Sequence, residues 1–170
     1  MAATFAWTQR YGAPAGTESS LGVSGNLFNF KRIDDATAAN YSSNPITAGT
    51  RSFEVWLRAK LTGTFNSIGN FQFWRSTDFS PNTGLFTRWS PNARLSAGTY
   101  AKPTTGLSKA VSAVPTSDPG VANIGVGANI SGSLAASGYS NYIVLQLATS
   151  ATAAAGDTSL ATFTLQYDES

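Results

Sequence analysis

The sequence lacks both cysteine and histidine in a chain of 170 residues. Without cysteine there are no disulfides, no thiolate nucleophiles and no sulfur ligands for zinc. Without histidine there is neither an imidazole ligand nor the general base of most catalytic triads. A cysteine-free chain fits reducing and oxidising compartments alike. Because these two absences exclude much of enzyme chemistry, we expect a non-enzymatic protein with no catalytic residue, no metal site and no cofactor.

Charged residues are scarce as well, at 12% of the chain against about 25% in typical domains. Eleven basic and nine acidic residues give a net charge of +2, and no long basic run is present to follow a phosphate backbone. No apolar run approaches the ~20 residues that span a bilayer, and the first residues lack the pattern of a signal peptide. We therefore expect no nucleic-acid or membrane partner, and synthesis in the cytoplasm.

Strand patterns dominate what is present. Residues 51–61 alternate between apolar and polar side chains with a period of two, which predicts a half-buried strand. Trp56 and Arg58 fall on the face that ought to meet water. Glu54 shares that face, and we expect it to form a surface ion pair with Arg58 or Arg75. The apolar face holds Phe53, Val55, Leu57, Ala59 and Leu61.

Further alternating runs predict more strands and suggest how they pair. A turn at residues 66–69 leads into a run with Phe71 and Phe73 on one face, which indicates a hairpin with the strand before it. Residues 141–149 and 160–169 alternate in the same way and are interpreted as a C-terminal pair. Weaker strands are predicted within residues 3–9, 25–33, 83–90, 95–101 and 120–130.

Many short strands between turn residues are typical of an all-β fold. The length suits one domain, and the pattern predicts a single β-sandwich or jelly-roll domain with long loops rich in Gly, Ser and Pro. Residues 1–50 are predicted to form an N-terminal arm and the first strands, and residues 51–170 the remainder of the same domain.

Aromatic residues beside arginines are the strongest candidates for an interaction site. Such a surface stacks sugars or bases when it is exposed, whereas the same residues are also typical of a core or a subunit interface. Aromatic residues near the N-terminus belong either to an arm that reaches a neighbour or to an edge strand. The candidate interaction residues are Phe5, Trp7, Tyr11, Trp56, Arg58, Trp74, Arg75 and Trp89.

An ordered series of short motifs resembles small virion proteins of tailed phages. The series runs SFEVWLRAKLTGTFNSIGNFQFWRSTDFSPNTGL from Ser52, VPTSDPG from Val114, SGYSNYIVLQL from Ser137 and TFTLQYDES from Thr162. The resemblance implies a decoration (cement) protein on the outer surface of the phage head, made in the host cytoplasm. Its expected partners are the major capsid protein and, in a homotrimer, copies of itself.

Two alternatives to the decoration protein stay open. One is a carbohydrate-binding or host-recognition module on the head or tail, which would use exposed tryptophans as stacking platforms. The other is a subunit of the tail tube or connector. The resemblance supplies no catalytic residue for any of them.

Overall fold

The computed structural model describes residues 3–21, 28–37, 41–90, 99–107, 109–127 and 129–170. Within these ranges the regular elements are nine strands, and none of these residues lies in an α-helix. The strands are β1 (Thr4–Tyr11), β2 (Thr17–Ser20), β3 (Val55–Thr62), β4 (Ile68–Thr77), β5 (Leu85–Ser90), β6 (Ser112–Ala113), β7 (Gly138–Tyr139), β8 (Ile143–Thr149) and β9 (Thr162–Glu169).

The strands form two antiparallel sheets that pack face to face. Sheet A has seven strands, in the order β2-β1-β3-β8-β5-β6 with β7 also paired to β3, and sheet B consists of β4 and β9. The all-β sandwich predicted from the sequence is therefore confirmed, while the jelly-roll alternative stays a prediction. β1 and β2 place part of the first fifty residues within sheet A.

Two predicted pairings are wrong, although the strands themselves exist. β3 and β4 do not form a hairpin, because β3 pairs with β1 and β8 in sheet A while β4 pairs with β9 in sheet B. β8 and β9 likewise lie in different sheets. Alternation shows which face of a strand is buried, but it carries no information about the neighbouring strand.

Three predicted strands are absent or lie partly outside the described residues. Residues 28–33 and 99–101 are irregular, whereas residues 25–27 and 95–98 are not described. Within residues 120–130, Ile124 bridges Phe71 of β4 and Val126 bridges Asn129, but no strand forms in the described part. β2, in contrast, was not predicted, because its sequence TESS has no apolar residue to alternate.

The main core lies between the two sheets. The predicted apolar face of β3 is confirmed, since Val55, Leu57, Ala59 and Leu61 are all buried against sheet B. Phe73 of β4 is at the centre, with its ring centroid 6.4 Å from Trp7, 5.9 Å from Trp89 and 5.9 Å from Phe163. Rings from β1, β5 and β9 thus meet on one side chain, which ties both sheets together.

Candidate interaction surface

The outer face of β3 is buried, contrary to its polar appearance in the sequence. Trp56 has no exposed surface, and its indole packs edge-on against Tyr100 at 5.2 Å and Tyr142 at 5.5 Å between ring centroids. Tyr100 belongs to an irregular stretch, residues 99–107 and 109, which we call the covering segment. Trp56 therefore belongs to a second core, on the opposite face of sheet A from the first.

Glu54 attaches the covering segment to sheet A. Its carboxylate is buried, and it accepts hydrogen bonds from the backbone N–H of Thr104 at 3.3 Å and of Lys109 at 3.2 Å. It also accepts from the indole N–H of Trp56 at 3.3 Å. The predicted surface ion pair with Arg58 or Arg75 is wrong, because Arg58 pairs with another carboxylate and Arg75 lies in sheet B.

Gln146 of β8 attaches the covering segment from the neighbouring strand. Its side chain is fully buried, and its amide N–H₂ donates to the carbonyls of Ser52 at 2.9 Å and of Thr104 and Gly106 at 3.3 Å each. Buried polar groups are costly unless they are hydrogen-bonded. Gln146 and Glu54 together therefore fix where an otherwise irregular stretch lies.

Tyr100 anchors the other end of the covering segment to the β1–β2 turn. Its hydroxyl donates to the carbonyl of Gly12 at 2.7 Å. Gly16, in the same turn, has φ +54°, and a Cβ there would lie 2.7 Å from the Tyr100 ring. Glycine is needed at this position because both the backbone conformation and the close approach of the ring exclude a side chain.

Arg58 forms an ion network beside the Trp56 cluster. Its Nε donates to Glu18 Oε1 at 2.7 Å, and its Nη2 contacts Glu18 Oε2, so the pair is bidentate. Arg10 Nη2 donates to the same Oε2 at 3.0 Å, and Thr8 Oγ1 donates to Oε1 at 2.7 Å. The Arg58 guanidinium also lies 3.7 Å from the centroid of the Tyr139 ring, a cation–π contact.

The surroundings of this network set the charge of its members. Burial by itself raises the pKa of Glu18, but hydrogen bonds from Arg58 and Thr8 and the charges of both arginines outweigh burial and bring that pKa below its ordinary value. Burial raises the pKa of Tyr142 and of Tyr100. At neutral pH the network is therefore an ionised carboxylate between two guanidinium groups, with neutral phenols around it.

The remaining candidates occupy different parts of the molecule. Phe5 and Trp7 line the interior side of β1 and contact each other at 5.3 Å, and Trp89 is 4% exposed in the main core. Residues 4–11 form a strand of sheet A and not a free arm. The strand pairs with β3 over residues 4–10 and with β2 over residues 8–11, so the edge-strand alternative is wrong for its second half. Tyr11, at the end of β1, is half-buried.

Arg75 connects the two sheets instead of facing a partner. Its Nη1 donates to Thr87 Oγ1 of β5 at 3.0 Å, and its Nη2 pairs with Asp78 at 2.8 Å. Trp74, next to it on β4, is half-buried. Of the eight candidates, only Trp56 and Arg58 come together on the outer face of sheet A. Their contacts there are with other residues of the same chain.

Sequence reasoning missed an exposed patch farther along the same face. Phe86 of β5 is 51% exposed and Leu107 of the covering segment is 50% exposed. Ala148 of β8 pairs with Phe86 on one side and bridges Arg51 on the other, and Arg88 follows Phe86 on the same face of β5. The signal was present in the run LFTRWS, whose alternation places Phe86 and Arg88 opposite the buried Trp89.

Unpaired charge is divided between the two layers of the sandwich. On sheet A with its covering segment, five cations make no ion pair with a described residue: Arg51, Lys60, Arg88, Lys102 and Lys109. On sheet B with its adjoining loops, residues 115–124 and 156–161, four carboxylates likewise make none within the described ranges: Asp118, Asp157, Asp168 and Glu169. We call these the basic layer and the acidic layer.

A cavity of about 1170 Å³ opens between the sheets at one end. Its walls include Leu57, Leu85 and Leu147 from sheet A and Phe163 from sheet B, and Asp157 is the one carboxylate among the described lining residues. This apolar wall continues the main core toward solvent.

No known protein family, characterised protein or solved structure is similar enough to this chain to count as a relative. Among the described residues, no group of three or more acidic side chains is placed to hold a metal ion. In that same part of the chain, no helix has the length and apolar character needed to cross a membrane. Identification of the function therefore depends on the surfaces of the molecule itself.

Proposed function

We propose that the protein is a non-enzymatic structural component of a tailed-phage particle, a decoration protein that binds the outer head surface and stabilises the lattice of the major capsid protein. The motifs from Ser52 onward that resemble virion proteins motivate this proposal. The observation that carries it is the division of unpaired charge between the basic layer and the acidic layer. Two opposed contact surfaces suit a subunit that meets more than one neighbour in a lattice.

The Trp56 cluster supports a function based on contact. Glu54 and Gln146 direct their hydrogen bonds to the covering segment, and Arg58 directs its guanidinium to Glu18. These polar groups therefore act within the chain, where they hold a defined outer surface in place. The side chains left to meet another molecule are exposed apolar residues and unpaired charges, which are the components of a protein–protein contact.

Repetition of one weak contact is enough for such a protein. A standard interface buries about 800 Å² per partner, and the multiple contacts of an oligomer on a symmetric shell add avidity without new chemistry. A decoration protein therefore needs only a modest complementary surface for each copy. The exposed Phe86, on the same strand as Arg88 and paired with Ala148, which bridges Arg51, provides a surface of this type.

The carbohydrate-binding alternative now rests on one tryptophan. Trp56 and Trp89 are buried within the chain, so neither ring is free to stack on a sugar. Trp74 on β4 is half-buried and keeps part of its ring surface outside. A glycan-recognition function therefore predicts that Trp74→Ala abolishes sugar binding while the free energy of unfolding changes little.

The test is to add purified protein to phage heads that lack it, to image the mixture by cryo-EM and to follow the melting of the shells. We expect saturable density at regular lattice positions and a raised melting temperature. Two variants identify the face that binds: Lys60→Glu with Lys102→Glu on the basic layer, and Asp157→Lys with Asp168→Lys on the acidic layer. Arg32→Glu, an exposed charge change outside both layers, is the control.

Absence of the protein from the shell, with no shift in melting temperature, overturns the decoration function. Ring-shaped density on isolated tails, mixed with the protein in the same way, would indicate a tail-tube or connector subunit. Binding in a glycan array that is lost in Trp74→Ala would instead indicate host recognition.

A further inference from the structure

We propose that copies of this chain associate head to tail, with the basic layer of one copy packed against the acidic layer of the next. The inference depends on the charges and exposed side chains of the chain itself, and not on the proposed place in a phage particle. It names a second copy as the partner because both halves of the complementary pair are present on one molecule.

Charge supplies the first argument. Among described residues, the carboxylates near the basic layer have partners within the chain: Glu18 binds Arg10 and Arg58, and Glu54 binds the covering segment. Asp34 accepts from the backbone N–H of Gly12 at 2.9 Å and interacts with the charge of Lys102. The other cations of this layer, Lys60 among them, make no ion pair with a described residue and remain available to a partner. Opposite potentials on two surfaces steer association and fix its orientation.

Exposed apolar side chains supply the second argument. The basic layer carries Phe86 at 51% exposure and Leu107 at 50%, and the acidic layer carries Val121 at 67% and Leu160 at 68%. Val121 lies in the loop that contains Asp118, and Leu160 follows Asp157. Each layer therefore combines exposed apolar surface with charge of one sign, the arrangement of an interface with an apolar centre and a polar rim.

The sign of the charge determines the symmetry of the contact. A twofold contact would bring a layer against its own copy and oppose like charges, which is unfavourable. A head-to-tail contact opposes unlike charges and is heterologous. Heterologous contacts close into a ring when the rotation between copies allows it, and they extend into a filament when it does not. A trimeric ring, the oligomer expected from the sequence, is one closed form.

Sedimentation velocity of the purified full chain tests the association over a range of concentrations. Charges screened over about 8 Å at physiological salt should make the contact salt-sensitive. We expect association at low salt and at least about a tenfold weaker association constant near 0.5 M salt. A wild-type chain that stays monomeric at every concentration in low salt overturns the proposal.

A charge-swap experiment gives the sharper test. Lys60→Glu with Lys102→Glu removes most of the unpaired positive charge of the basic layer, and Asp157→Lys with Asp168→Lys cancels the unpaired negative charge of the acidic layer. Each variant thus loses one of the two complementary surfaces, and a mixture brings the intact acidic layer of the first together with the intact basic layer of the second. We expect each variant alone to be monomeric, and the mixture of the two to form complexes that contain both. Association of either variant alone at wild-type strength, or failure of the mixture to associate, contradicts the head-to-tail contact.

Two controls separate a loss of association from a loss of folding or a general effect of charge. Thermal unfolding of both charge variants checks that each is folded, and Phe86→Ser weakens the same contact without changing charge. We expect Phe86→Ser to lower the association constant by about tenfold, a typical effect of removing a well-packed interface side chain. Because no phage head is present, a monomeric wild-type chain overturns the contact between copies and does not decide shell binding, which the cryo-EM experiment with wild-type protein tests by itself.

Discussion

Trp89 and Trp56 are both buried in sheet A, yet on opposite faces and by different means. Trp89 faces sheet B, where its neighbour is the ring of Phe73 in a core made mainly of apolar side chains. Trp56 faces the covering segment, where it packs on two tyrosines and donates a hydrogen bond to Glu54. One face is closed by a second sheet, and the other by an irregular segment attached through polar groups.

The difference shows that the two faces should respond to different perturbations. The inner core rests on burial of apolar area, which is non-directional and insensitive to pH. The outer cluster rests on a few directional hydrogen bonds and one ion network, which depend on the identity and ionisation of single residues. Truncations should therefore damage the inner face, whereas conservative polar changes should damage only the outer one.

The largest effect is expected for Phe73→Ala at the centre of the inner core. Its ring is fully buried between Trp7, Trp89 and Phe163, so truncation removes contacts to both sheets and leaves a cavity. We expect a loss of about 3–5 kcal/mol in the free energy of unfolding, measured by urea denaturation. A loss under about 1 kcal/mol would mean that the sheets do not depend on this ring.

A smaller and more local effect is expected for Glu54→Gln on the outer face. The change keeps the shape but replaces a carboxylate that accepts from Thr104, Lys109 and Trp56. We expect a loss of about 1–3 kcal/mol, with faster hydrogen exchange at the Thr104 and Lys109 amides. Asp157→Asn, on the acidic layer, is the matched control, and equal exchange in both variants would contradict the role of Glu54.

Arg58→Lys keeps the positive charge and tests whether the ion network needs the planar guanidinium group. Lysine has no planar fork, so the bidentate contact with Glu18 is lost. We expect a loss of about 1–2 kcal/mol. Combining the change with Glu18→Gln in a double-mutant cycle measures the coupling between the two side chains, and purely additive losses would show that they are independent.

The same network predicts a pH dependence confined to the outer face. The pKa of Glu18 is lowered in the folded protein, so the unfolded chain takes up a proton first as the pH falls below about 4.3. The stability that Glu18 contributes is present above that pH and is lost as the pH falls through its folded pKa. Wild type and Glu18→Gln should therefore converge in acid, and a constant difference down to low pH would contradict the network.

The smallest effect is expected for Phe86→Ser on the exposed patch. Half of this side chain is already outside, so its replacement should change the free energy of unfolding by no more than about 0.5 kcal/mol. Thermal unfolding provides the measurement. A larger loss would show that Phe86 is part of the fold and would disqualify it as a probe of contacts between molecules.

The sequence predicts the inner face of sheet A well and its outer face poorly. Period-two alternation in β3 identifies every second residue as a core residue, because a strand of a sandwich has one face toward the other sheet. These residues are Val55, Leu57, Ala59 and Leu61. The same alternation marks Trp56 as outward. Alternation within β3 cannot show that the covering segment, some forty positions later, packs over Trp56. That contact depends on hydrogen bonds from the covering segment to Glu54 and Gln146.

Strand pairing escaped prediction for a related reason. Residues 66–69 have the composition of a hairpin turn, and neighbouring strands usually pair, yet the chain crosses there from sheet A to sheet B. The ion network also left no local signal, because Glu18 and Arg58 lie on separate strands and β2 has no apolar residue. The exposed patch, by contrast, has a signal in the sequence. Phe86 and Arg88 alternate with Trp89, which places them on the opposite face of β5.

Sheet B has a kinetic consequence. Ile68 pairs with Glu169 and Thr77 with Thr162. β4 therefore pairs with β9 only after all of the chain between them has been synthesised. Pairings this distant in sequence slow folding. Until β9 docks, the apolar side of β3 and β8 has no cover, and nascent chains are open to aggregation. Production at high yield should therefore depend on slow synthesis and low temperature more than on the stability of the finished fold.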